Sequence, residues 1–153
     1  MEAGMELNRL VKSSTCIRAE PWTTLELVQA LLARFGAQDP TALAELFASR
    51  VDWQVSEPAA AGWSNGTRSR REVEAVLRSL FGALGLEELT VRRLLIDGED
   101  AVVLGRTRWR TAGPAVDYLV DFALSVSVHR GEVDECWLMR KGTVATTATT
   151  AAP

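Results

Sequence analysis

The sequence is short of metal ligands, lysine and long apolar runs, and each shortage closes off a class of function. One histidine, His129, and two cysteines, Cys16 and Cys136, are all the imidazole and thiol ligands in 153 residues. No CxxC pair occurs, so neither a zinc site nor a disulfide framework is expected, and the cysteines read as free thiols of a reducing cytoplasm. No apolar run approaches the roughly 20 residues of a membrane span. The opening MEAGMELNRLVKSS lacks the apolar core of a secretion signal. Lys12 and Lys141 are the only lysines beside 15 arginines, and the net charge is −3. That balance lacks the basic footprint of a nucleic-acid binder. The expectation is a cytoplasmic protein with no metal, no cofactor, and no membrane or nucleic-acid partner. Its Arg- and Ala-rich composition resembles the coding bias of a GC-rich bacterium, a hint about source rather than function.

What remains is ordinary globular material. Apolar residues are 47% and charged residues 24%, close to the usual averages of about 45–50% and 25%. The length fits one domain, able to bury roughly 68–70% of its unfolded surface. Residues 1–20 are aperiodic and read as a flexible lead-in. Residues 142–153, GTVATTATTAAP, read as a disordered tail. The folded unit is expected at 21–141.

Within it, helical signals come first. Thr23 and Glu26 spell a capping box ahead of Leu25, Val28, Leu32 and Phe35, with Leu27 and Leu31 widening the stripe and Gly36 as the expected C-cap. Asp39-Pro40 opens a short second helix with Leu43, Leu46 and Phe47 on its apolar face. VDWQV, residues 51–55, alternates as a half-buried strand, and SEPAAAGWSNGT follows as a loop. Asn65-Gly66-Thr67 matches a glycosylation sequon but reads as a turn. Ser69 and Glu72 form a second capping box, opening a helix with Val73, Val76, Leu77, Leu80 and Phe81 on one stripe, ended by Gly82 and Gly85. From residue 88 the pattern is strand, turn, strand, through ELTVRRLLI, AVVLGRTRWR, DYLVDFALSVSV and VDECWLMR. Helices followed by a meander predict an α+β fold: a curled antiparallel sheet, a conical half-barrel, with three helices on its concave face. Such a cone leaves a pocket for an apolar small molecule.

Four pieces occur in a telling order: LVQALLARFGAQDPTALAELFASRVDWQV, GWSNGTRSRREVEAVLRSLF, LLIDGEDAVVLGRTRW and FALSVSVHRGEVDECWLM. Together they cover about 120 residues, and the ordered set resembles the SnoaL-like branch of the nuclear transport factor 2-like superfamily. The resemblance implies a conical α+β barrel, often a homodimer packed through the outer face of its sheet. Members include polyketide cyclases, ketosteroid isomerases, epoxide hydrolases, dehydratases and non-catalytic binding domains. Taken residue by residue, the isomerase roles fall on Val55 or Ser56 with Glu57 one step on, on Leu31, and near Ala123 or Leu124; none is filled. The epoxide-hydrolase acids fall within Arg106-Thr107-Arg108 and at about Leu138, and both are missing. The aldol-cyclase pair falls on Asp121, with His129 in the following turn.

The candidate residues follow from these strands. Strict alternation puts Tyr118, Val120, Phe122 and Leu124 on the core face and turns Asp121 outward, whereas one bulge would carry Asp121 into the cavity as a general acid/base. Tyr118 can donate its hydroxyl to a carbonyl or enolate oxygen. Arg106 and Arg108 share a face, either lining the cavity as partners of an anion or snorkelling to solvent and leaving Val103 and Trp109 buried. Glu57 is a rim acid or a surface charge. Trp53, Val55, Trp63, Phe35, Phe122, Leu124, Trp137 and Leu138 are the candidate lining. Two functions stay open: a cofactor-free cyclase, isomerase or dehydratase acting on a polyketide-like or polycyclic substrate, and a non-catalytic binding or assembly module.

Overall fold

The computed structural model describes residues 22–56, 65–111 and 116–143. Helix α1 (Thr24–Gly36) begins at the foreseen capping box, in which the Thr23 side chain accepts from the Glu26 N–H and the Glu26 carboxylate from the Thr23 N–H. Its end differs from expectation. Gly36 is still helical, and the left-handed residue is Gln38, at φ 56°. The N–H of Asp39 reaches the Arg34 carbonyl and that of Gln38 the Phe35 carbonyl, a Schellman closure. The cost of a side chain in that conformation is offset by the Gln38 amide. It accepts from the Leu86 N–H at 3.1 Å and donates to the Leu86 carbonyl at 3.4 Å, tying the helix end to the sheet.

Helix α2 (Pro40–Ala44) is shorter than its apolar face suggested, and Phe47 belongs instead to strand β1 (Phe47–Val55). The reason is tertiary: the Leu46 carbonyl accepts from the Val133 N–H at 2.9 Å, and the Phe47 carbonyl from Arg70 Nε at 2.8 Å. Part of the stretch read as loop forms β2 (Gly66–Ser69), antiparallel to β1. There the Asn65 side chain accepts from the Val55 N–H at 2.7 Å. The Ser69–Glu72 capping box then starts α3 (Arg70–Ala83) as expected. Gly82 and Gly85 do not separate it from the next strand: β3 (Leu84–Asp97) follows at once.

Strands β4 (Asp100–Thr111), β5 (Asp117–His129) and β6 (Glu132–Thr143) complete a six-stranded sheet in the order β2-β1-β6-β5-β4-β3. The α+β class holds, but the sheet is mixed rather than antiparallel, because β1 lies parallel to β6. That pairing brings the first described strand against the last. The expected lead-in and most of the expected tail lie outside the described residues; Gly142 and Thr143 end β6.

The helices bury Leu27, Val28, Leu31, Leu43, Val73, Val76 and Leu77 against Val51, Val103, Val126, Val128 and Val133 of the sheet. Each such side chain stabilises by roughly 1.5–3 kcal/mol. Inward parity on β4 runs through Ala101, Val103, Gly105, Thr107 and Trp109. On β6 a bulge changes parity. Ser127 faces Glu135 while Val128 faces Val133, so Asp134 is the extra residue. Val133 therefore points inward at one end of the strand, and Cys136 and Leu138 beyond the bulge. No helix among the described residues is long and apolar enough to cross a membrane.

Candidate functional site

The core does not fill the cone. Between α1, α3 and the inner face of the sheet lies a cavity of about 630 Å³, within the range of roughly 300–1,000 Å³ usual for small-molecule sites. Leu31, Leu32 and Phe35 come from α1, and Leu77 and Leu80 from α3. The sheet contributes Trp53 and Val55 from β1, Leu89 from β3, Thr107 and Trp109 from β4, Tyr118, Val120, Phe122 and Leu124 from β5, and Cys136, Leu138 and Arg140 from β6. Apolar side chains dominate, and the polar members are Gln54, Thr107, Thr111, Tyr118, Cys136 and Arg140. Arg140 is the one charged residue of this lining, and no Asp, Glu or His belongs to it. Nor do the described residues hold a group of three or more His, Cys, Asp or Glu able to bind a metal.

One wall is an aromatic cluster. Phe35 meets Phe81 edge-on with centroids 5.1 Å apart and Trp109 edge-on at 5.9 Å, while Phe81 stacks on Trp109 at 6.3 Å. Trp109 Nε1 donates to Thr107 Oγ1 at 2.8 Å, so the indole is held at both its ring and its N–H. On the neighbouring strand, Phe122 lies over Gly105. A Cβ there would meet the Thr90 carbonyl and come within 2.9 Å of the Phe122 ring. Glycine is thus what lets this ring lie flat against β4. Cys136 is buried in the same wall, and desolvation pushes its thiol up to about 12. It is a neutral, inert group at physiological pH, not a nucleophile.

The structure separates the predicted site residues. Phe35, Trp53, Val55, Tyr118, Phe122, Leu124 and Leu138 are brought together around the cavity. Asp121 is not: β4 and β5 pair without interruption from Asp100↔Ser127 to Arg110↔Asp117, so no bulge turns it inward. It stands on the outer face, hydrogen-bonded to Arg106 at 2.7 Å, and that guanidinium holds its carboxyl below the usual carboxylate range. A general acid in an apolar pocket needs the opposite shift. Arg106 is therefore an outer-face partner, not a cavity residue. Arg108 also lies outside, 3.1 Å from Glu88. Val103 and Trp109 are among the buried residues of β4, as the snorkelling alternative requires. Trp137 alternates with Leu138 and is exposed on the outer face. His129 ends β5 in the open, 3.9 Å from Glu99. Glu57 and Trp63 lie outside the described residues.

The sequence reasoning missed Thr107, Trp109, Cys136 and Arg140 as lining. Parity alone could have supplied them, since Thr107 and Trp109 share the face of Val103, and Cys136 and Arg140 that of Leu138.

A curled six-stranded sheet with helices across its concave face defines the nuclear transport factor 2-like α+β cone. The model of the SnoaL-like domain matches residues 28–135, and the chain belongs to that family. No curated protein sequence matches it. Among solved structures, a nuclear transport factor 2-like protein from Burkholderia xenovorans LB400 superposes with a TM-score of 0.62 at 17% identity, covering 80% of this chain and 92% of that one. A protein from Shewanella denitrificans OS-217, described provisionally as a SnoaL-like polyketide cyclase, gives 0.63 at 12% identity over 77% and 90%. An LEH-like epoxide hydrolase from M. tuberculosis gives 0.61 at 15% identity over 77% and 82%. At such identities the likeness concerns the fold.

Proposed function

We propose that the cone takes up an apolar, oxygen-bearing small molecule of one or more fused rings. The observation that carries this reading is the cavity of about 630 Å³ whose lining is apolar apart from a few polar groups. Aromatic walls suit a flat ligand, and sparse polar groups suit orientation rather than solvation. The test is titration with 9-fluorenone while following tryptophan fluorescence, since Trp53 and Trp109 line the cavity. Saturable quenching is expected, and Leu124→Trp, which fills the space, should abolish it. Non-saturable quenching unaffected by Leu124→Trp would overturn the reading.

A second reading is favoured by Tyr118, a phenol at the cavity. It is a cofactor-free isomerase or cyclase acting on a polyketide-like or polycyclic ketone, with Tyr118 stabilising an enolate and Arg140 neutralising its charge. Asp121 and Arg108 have no part in it, and Glu57 is its candidate acid/base. Protein-catalysed exchange of ketone α-protons in D₂O, slowed about 100-fold by Tyr118→Phe, is the expected result. No exchange above buffer would leave binding alone.

We also propose that a second copy covers the outer sheet face. Leu95, Trp137 and Met139 are exposed there, in cross-strand rows with Val102, Ser125, Leu104 and Ala123. One flank carries Arg106 and Lys141 on either side of Asp121, with Arg92 near that carboxylate, and the other carries Asp97, Asp100, Glu135 and Asp52. A two-fold packing sets each flank against its opposite. Sedimentation should give a dimer, and Trp137→Glu a folded monomer; a monomeric parent protein would refute the pairing.

A further inference from the structure

Thr107 carries the one buried hydroxyl among the described residues, 5% exposed. It sits in the cavity wall between apolar neighbours. Burying a hydroxyl costs roughly 1–3 kcal/mol unless its hydrogen bonds are made. Half of that requirement is met: Thr107 Oγ1 accepts from Trp109 Nε1 at 2.8 Å. The other half is met poorly. The acceptor for its own proton is the Val120 carbonyl, 3.5 Å away, where O–H···O bonds ordinarily run about 2.7–2.8 Å.

The donor that fixes the hydroxyl is itself fixed. Trp109 is wedged by Phe35 and Phe81, which aims its N–H at the threonine oxygen. The hydroxyl proton is left with a weak backbone acceptor, on a residue that borders the cavity. A group pinned in this way is preorganised to donate, at little cost in further ordering.

We infer that Thr107 is a specificity-determining residue of the cone: its hydroxyl donates to an acceptor oxygen, of the ketone or ether class, on the bound ligand. This rests on the reading of the cone as a small-molecule site and adds a requirement to it. A ligand of the same shape without the oxygen leaves the hydroxyl on its long bond to Val120, and the site discriminates against it. Trp109 acts through Thr107 as a positioning residue.

The experiment uses two probes of nearly one shape, 9-fluorenone and fluorene, against the full chain. The parent protein should bind the ketone about tenfold more tightly than the hydrocarbon, the equivalent of roughly 1.4 kcal/mol. Thr107→Val keeps the shape and removes the hydroxyl, so it should erase the preference by weakening the ketone alone. Thr107→Ser should restore it. Thr107→Val also strands the Trp109 N–H, so Trp109→Phe serves as a second variant, in which the freed hydroxyl should show a reduced preference while both probes still bind. If both probes bind and Thr107→Val leaves their ratio unchanged, Thr107 has no such role and the cone reading stands. If neither probe saturates, the cone reading fails and this inference with it.

Discussion

The dryness of the cavity can be measured through Cys136. Its thiol is raised from an ordinary 9.0 to about 12 by desolvation alone. The folded value lies above the unfolded one, so the native state holds the proton more tightly. The contribution is intact below about pH 9 and is lost as pH rises from there towards 12. One pKa unit corresponds to about 1.36 kcal/mol. The full loss is therefore about 4 kcal/mol, and roughly a third of it is already gone at pH 10. The experiment is urea unfolding at pH 8 and pH 10 in a Cys16→Ser background, with and without Cys136→Ala. Truncation adds a pH-independent offset, so the signal is the difference in slope: the parent should lose about 1 kcal/mol more between the two pH values than the variant. Iodoacetamide should leave native Cys136 unmodified at pH 8 and alkylate it on denaturation. Equal pH slopes, or rapid alkylation of the native protein, would show that water reaches this wall and that the cavity is not the apolar space on which the functional proposal depends.

Gly105→Ala should destabilise by about 1–3 kcal/mol in urea unfolding, because the new methyl meets the Thr90 backbone and the Phe122 ring together. Relaxation by strand separation should also weaken 9-fluorenone binding, and an unchanged midpoint would contradict the close approach. Asp121→Asn should leave ligand affinity unchanged and move the unfolding midpoint little, since its ion pair with Arg106 is exposed on the outer face. A large loss of binding or turnover would mean that Asp121 enters the cavity in solution.

Where local chemistry decides, the sequence was readable. Both capping boxes sit where Thr23, Glu26, Ser69 and Glu72 place them, because a cap needs only four consecutive residues. Strict alternation sorted Tyr118 and Phe122 from Asp121 correctly, because β4 and β5 pair without a bulge. The misreadings have a common origin in partners far along the chain. Leu46 and Phe47 look helical until Val133 and Arg70 claim their carbonyls. Gly66 and Thr67 look like a turn until β1 offers an edge. Gly36 looks like the helix stop until Leu86 rewards Gln38 for taking the left-handed position.

The same distinction governs the site. Asp121, Arg106 and Arg108 are the conspicuous charged residues of β4 and β5, yet Arg106 satisfies Asp121 and Arg108 satisfies Glu88 across neighbouring strands. Charged residues facing solvent advertise themselves in a sequence, whereas a cavity is built mostly from residues that resemble core. Whether Leu89, Val120 or Leu138 fills space or borders it depends on how far the sheet curls away from the helices, which no short window encodes. What the window does encode is an interruption. A threonine between glycine and tryptophan on the inward face of an otherwise apolar strand is an inconsistency that a simple core would not retain, and the hydrogen bond from Trp109 shows it to be an organised one. On the proposed reading, the polar residue on the buried face, rather than the charged residue beside it, is the better guide to where a ligand would be held.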